Sequence, residues 1–179
     1  MSTSIAVSGK GGTGKSTLSG LIIRDLIKGG SAPVLAVDAD PNTSLGEIIG
    51  MPAERTVGST LAEFFGQKLT LPAGLSKEMY LQMRLNEILA EGKGVDVLTM
   101  GRGEGQGCYC FPNLMVRKFV DELSDNYKFV VMDNQAGMEH LSRRTTDLLD
   151  VLFLVASPTI KGVRTAGTIS RLVKELELS

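Results

Sequence analysis

The chain has 179 residues, 42% of them hydrophobic, with 19 basic against 20 acidic side chains and a formal net charge of −1. That length and apolar content suffice for one core buried without disulfides or metals, and the balanced charge excludes a general attraction to nucleic acid or to an anionic membrane surface. No apolar run approaches the roughly 20 residues of a spanning helix, the chain starts directly on a strand pattern rather than on a leader, and two cysteines one residue apart are not a secreted disulfide framework. A single cytoplasmic domain over residues 1–179 is the expectation.

The first apolar run, Ile5-Ala6-Val7, leads through Ser8-Gly9-Lys10-Gly11-Gly12-Thr13-Gly14-Lys15-Ser16-Thr17 into Leu18 to Lys28, where Leu18, Leu21, Ile22, Leu26 and Ile27 recur at helical spacing. Strand, glycine loop and helix follow in that order. Gly9 to Ser16 fit the phosphate-binding pattern of a glycine, four residues and Gly-Lys-Ser/Thr. Glycines let successive backbone N–H groups turn onto a phosphate, and the helix N-terminus adds positive partial charge. Lys15 would reach the β- and γ-phosphates, and the Ser16 hydroxyl would ligate Mg²⁺.

Gly29-Gly30-Ser31 stops the helix, and Pro33 to Asp38 reads as a second buried strand. Asp38-Ala39-Asp40-Pro41-Asn42 then sets two carboxylates at a strand's C-terminal end, where open α/β sheets bind ligands. The alternative is that Asp40 or Asn42 caps a helix starting near Thr43. Residues 51–94 resemble an insertion with helical patterns over Val57–Phe65 and Lys77–Glu91; in the second, Met79, Met83, Leu85, Ile88 and Leu89 share a face that reads as core or as a partner interface.

Val95 to Met100 is a third short strand, running into Gly101-Arg102-Gly103-Glu104-Gly105-Gln106-Gly107, a segment without apolar anchors that a ligand or a second subunit could order. Cys108-Tyr109-Cys110 follows, then a helix from about Asn113 to Leu123 with Pro112 at its start. Lys128 to Asp133 is a fourth strand; an aspartate at such a strand end is the second Mg²⁺ anchor of P-loop NTPases. Asn134-Gln135-Ala136-Gly137 turns into a helix over Glu139–Leu149, and a fifth strand over Val151–Ala156 precedes a last helix from Ile160 to Leu178. Continuous apolar strands alternating with helices imply an α/β fold: a mostly parallel sheet with helices on both faces.

Taken together, these residues resemble the deviant-Walker P-loop ATPases of the MinD, ParA and nitrogenase iron protein group. The resemblance rests on Lys10 at the start of Lys10-Gly11-Gly12-Thr13-Gly14-Lys15-Ser16, on Asp38-Ala39-Asp40-Pro41 as a first switch, and on Asp133-Asn134-Gln135-Ala136-Gly137 as a second. Within the group, Cys108-Tyr109-Cys110 after a glycine-rich loop and the run Asp133 to Arg143 are most similar to the CooC-type nickel-insertion ATPases of carbon monoxide dehydrogenase maturation.

The resemblance implies a homodimer with ATP between its subunits, slow hydrolysis of ATP, and carbon monoxide dehydrogenase as client. It implies catalytic roles for Lys10, Lys15 and Asp40: Lys10 reaching the partner's nucleotide in trans, Asp40 orienting the attacking water. Gly9 to Thr17 and the Gly137 backbone would hold ATP, with Ser16, Asp38 and Asp133 at or near the Mg²⁺. Relatives continue into a further strand and helices that this chain lacks, so it looks truncated at its C-terminus.

Cys108 and Cys110 cannot complete a four-coordinate soft-metal site alone. A two-fold dimer would supply four thiolates, the set that Zn²⁺ takes in tetrahedral and Ni²⁺ in square-planar geometry. The competing readings are two small hydrophobes, a redox-labile pair, or an iron–sulfur cluster, for which relatives use widely separated cysteines. His140, the only histidine, reads as a switch residue or as a packing residue, and Arg143-Arg144 as serving a partner carboxylate or, preferably, as solvated. Two further function classes stay open: a MinD- or ParA-like positioning switch, which needs a membrane-binding helix or a basic surface, neither of them apparent here though truncation could remove one, and a nucleotide- or metal-binding fragment without turnover.

Overall fold

The structure is a computed structural model that describes residues 2–66, 74–102, 110–134 and 149–175, with backbone alone at 110–115, 117 and 172–175. Apolar runs become strands: β1 (Thr3–Gly9), β2 (Val34–Asp38), β4 (Val95–Thr99), β5 (Phe129–Asp133) and β6 (Val151–Val155), with a two-residue β3 (Ala90–Glu91) beside β4. The strand order is β3-β4-β2-β5-β1-β6. Every pairing is parallel except β3 with β4, as the uninterrupted apolar strands predict for a sheet covered on both faces.

Helices α1 (Lys15–Lys28) and α2 (Ser44–Ile48) cover one face, where Ile23 and Leu45 pack on Ile5, Val34, Ala36, Val97 and Val131. Helices α3 (Val57–Gly66), α4 (Lys77–Glu87) and α5 (Cys110–Ser124) cover the other, on Ala6, Leu35, Val37, Leu98, Val130 and Met132. The strict alternation of these two sets along each strand follows from the period-2 pleat. Helix α6 (Ile160–Glu175) follows β6 at the sheet edge.

Four sequence expectations need correction. Helix α4 stops at Glu87 rather than Glu91, because Ala90-Glu91 turns out to pair with Val97 and Asp96. Its apolar stripe divides: Leu85 and Ile88 are buried, whereas Met79 is 58% and Met83 44% exposed, so the core reading fails for the methionines. Helix α5 starts at Cys110, which puts Pro112 inside the first turn, where its missing N–H costs no hydrogen bond. Neither Asp40 nor Asn42 caps α2; Thr43 sits at its N-cap with φ 51, and Asp38 supplies the carboxylate. The helix expected over 139–149 lies outside the described residues except for Leu149, which is buried and not helical, and residues 176–179 of the last helix also lie outside them.

Candidate nucleotide site

The phosphate loop is built by close approach. A Cβ on Gly9 would stand 2.0 Å from the Val155 carbonyl oxygen of β6, so only glycine lets β1 leave the sheet there. Thr13 Oγ1 donates to the Lys10 carbonyl at 2.7 Å and ties the loop across itself. Gly14, at φ 90, is the N-cap of α1; no side chain caps that terminus and no acid lies in its first turn. The first N–H groups of a 14-residue helix therefore remain free for an anion. Lys10 is exposed, whereas Lys15 is 5% exposed and places Nζ 4.0 Å from Asp40 Oδ2.

Three adjacent strand ends complete the site. Asp38 on β2 and Asp133 on β5 are register partners, both fully buried, on the face that carries α1 and α2. The Ala39 N–H donates to the Asp133 carbonyl at 2.9 Å and the Asn134 N–H to the Val7 carbonyl at 3.0 Å, so backbone pairing continues past the strands and holds both carboxylates against the loop. Asp133 Oδ1 lies 3.3 Å from Ser19 Oγ of α1, and Asp133 Oδ2 has no partner among the described residues.

Burial pushes the Asp133 carboxyl up from its ordinary range, against the opposing pull of the nearby Ser16 hydroxyl and the Lys15 charge. Burial likewise pushes Asp38 to about 6, opposed by the backbone N–H groups of Leu45 and Asp40 and reinforced by the Asp133 charge. Lys15 is one buried cation among three carboxylates, Asp38, Asp40 and Asp133. A partnerless carboxylate oxygen beside Ser16 and an excess of buried negative charge fit a hard divalent cation that takes its remaining oxygens from phosphates and water.

The structure brings Gly9 to Thr17, Asp38, Asp40 and Asp133 together at one end of the sheet. Gly137, His140 and Cys108 lie outside the described residues, and Cys110 is described only as the first residue of α5. Among the described residues, no group of three or more His, Cys, Asp or Glu forms a ready metal cage. No helix among them is long and apolar enough to cross a membrane. Two features escaped the sequence reading: Ser19, whose only signal was a serine one helical turn after Lys15, and Asn42 as a donor to Asp40.

Known proteins are similar to this chain over most of its length. The chain is 45% identical over 176 residues to an uncharacterized ATP-binding protein of Methanocaldococcus jannaschii, covering 97% of this chain and 69% of that protein. It is 33% identical over 183 residues to the carbon monoxide dehydrogenase accessory protein CooC of Rhodospirillum rubrum, covering 96% and 69%. Among solved structures, the MinD cell division protein of Aquifex aeolicus superposes with a TM-score of 0.65 at 25% identity, over 98% of this chain and 65% of that one. The cell division ATPase MinD of Pyrococcus furiosus shares the fold with a TM-score of 0.67 at 21% identity, over 100% and 69%. The profile of the CobQ/CobB/MinD/ParA nucleotide binding domain matches residues 4–178, and the chain belongs to that family.

Proposed function

We propose that this protein is an ATP-hydrolysing metallochaperone that acts as a cytoplasmic homodimer and supports nickel insertion into carbon monoxide dehydrogenase. One observation carries the reading: a P-loop with Lys10 and the Cys108-Tyr109-Cys110 pair occur together in a chain similar over 96% of its length to a carbon monoxide dehydrogenase accessory protein.

Hydrolysis needs little covalent chemistry from the protein, so positioning and charge neutralisation dominate. The loop N–H groups and Lys15 hold the β- and γ-phosphates, and the Gly137 N–H engages the γ-phosphate. Ser16 and Asp133 would hold Mg²⁺, with Asp38 beside them; bound there, the ion polarises the phosphate oxygens. Asp40 orients a water whose oxygen bonds to the γ-phosphorus while the bond from that phosphorus to the β–γ bridging oxygen breaks. ADP leaves with the electron pair, and the water's proton passes by way of Asp40. Lys10 of each protomer neutralises charge at its partner's nucleotide, as an arginine finger does elsewhere. The cargo, Ni²⁺ or Zn²⁺, is held by Cys108 and Cys110 of both protomers.

Lys15→Ala is expected to abolish ATP binding in isothermal titration; an unchanged affinity would remove the P-loop from the site. Replacing both cysteines by serine should eliminate bound nickel and zinc in native mass spectrometry. Retained metal at one ion per dimer would overturn the cargo assignment.

A further inference from the structure

The two oxygens of Asp40 are not equivalent. Oδ1 accepts the Asn42 backbone N–H at 2.9 Å and Asn42 Nδ2 at 3.0 Å, while Oδ2 faces Lys15 Nζ at 4.0 Å. The backbone on either side is also fixed. The Asp40 N–H donates to Asp38 Oδ1 at 3.2 Å, and Asp38 Oδ2 accepts the Leu45 N–H of α2 at 2.9 Å. One fully buried carboxylate therefore holds both ends of the 40–45 segment. The Thr43 N–H closes the turn between them on the Asp40 carbonyl at 2.9 Å.

We propose that Asp38 and Asn42 are positioning residues that present one chosen oxygen of Asp40 to the attacking water. The proposal rests on the ATPase reading above. A carboxylate on an unrestrained loop exchanges its oxygens by rotation and wanders by about an ångström, a displacement that costs about a hundredfold in rate where a nucleophile must be aligned. Here the two donors from Asn42 occupy Oδ1 and leave Oδ2, on the lysine side, with open lone pairs. Asp38 acts on the same atom through the backbone. Both of its oxygens are engaged by N–H groups, whereas Oδ2 of the neighbouring Asp133 has no partner among the described residues, so the two buried aspartates divide the work: Asp133 faces the cation and Asp38 faces the loop.

The experiment compares unsubstituted protein, Asn42→Ala, Asn42→Asp, Asp38→Asn and Asp133→Asn. Asn42 is exposed, and its alanine variant keeps the backbone donor, so folding is preserved. Asn42→Ala should lower the single-turnover rate of ATP hydrolysis about tenfold to a hundredfold. The affinity for a non-hydrolysable ATP analogue should move less than about twofold, the size of effect expected when ground-state binding is untouched. Asn42→Asp, which sets an acceptor against Oδ1, should be at least as slow. Asp38→Asn should speed amide hydrogen exchange at Asp40 and Leu45 in the nucleotide-free protein and move the Mg²⁺ midpoint of fluorescent-ATP binding much less than Asp133→Asn, which moves it about tenfold or more. Hydrolysis by Asn42→Ala at the unsubstituted rate overturns the proposal, as does a Mg²⁺ midpoint that moves equally in the two aspartate variants. Absence of turnover in the unsubstituted protein overturns the ATPase reading instead, and with it any role for the clamp in hydrolysis.

Discussion

Asp38 shows how one side chain links stability to the chemistry of its site. Its carboxyl is raised from 3.8 to about 6 by burial, with Asp133 adding to the shift, while Lys15 is the buried cation of the cluster. A raised carboxyl means that the folded chain holds a proton the unfolded chain has already released between those two values. Stability from this group is therefore complete below 3.8 and is lost as the pH rises through about 6. In the absence of Mg²⁺ and nucleotide, lowering the pH from 7 to 5 should stabilise the unsubstituted chain by about 1 kcal/mol relative to Asp38→Asn. Urea titrations at both pH values measure that difference, and one that stays constant would show that Asp38 is not held in this environment.

At the scale of elements, α4 separates burial from mere hydrophobicity. Leu81, Leu85 and Ile88 fall at i, i+4 and i+7 and turn into the core, whereas Met79 and Met83 lie off that stripe and face outward. Leu81→Ala should cost about 2–4 kcal/mol by denaturant titration and Met79→Ala less than about 0.5. Equal costs would mean that the helix is rotated from this orientation. Leu81 is absent from the predicted stripe because a face read broadly from methionines and leucines does not fix helix rotation. The five parallel strands were legible for the opposite reason: each is an apolar run stopped by a turn residue or an acid, so no phase has to be known. β3 was not, because Ala90-Glu91 continues a helical pattern and becomes strand only through pairing with β4. In the candidate site, the phosphate loop and the strand-end aspartates were legible from local order. The capping of α2 by Asp38 was not, since it spans seven positions and requires β2 and α2 to be placed in space first.

At the scale of the whole molecule, the sheet has two unlike edges. One is β3, two residues long, antiparallel and bearing Glu91, a short charged edge of the kind that discourages pairing with other chains. The other is β6, five residues long, whose outer side pairs with no strand among the described residues. Val151 and Phe153 stand in register with Ile5 and Val7, on the α1 face, yet are 39% and 41% exposed, and Leu21 of α1 is 47% exposed. Strand N–H and C=O groups left unpaired among the described residues, beside such a surface, favour association with a second chain. The chain should therefore self-associate in a concentration-dependent way that needs neither ATP nor metal, distinct from a dimer sharing nucleotide and Cys108 and Cys110. Phe153→Lys places a charge on that surface while removing little buried area. It should move the midpoint of association to about tenfold higher concentration, corresponding to a loss of about 1–2 kcal/mol of apolar contact. Sedimentation velocity without nucleotide or metal measures this directly. If Phe153→Lys and the unsubstituted chain associate alike, the β6 edge is not the surface that brings chains together, and the association has to be sought at the face that carries Lys10.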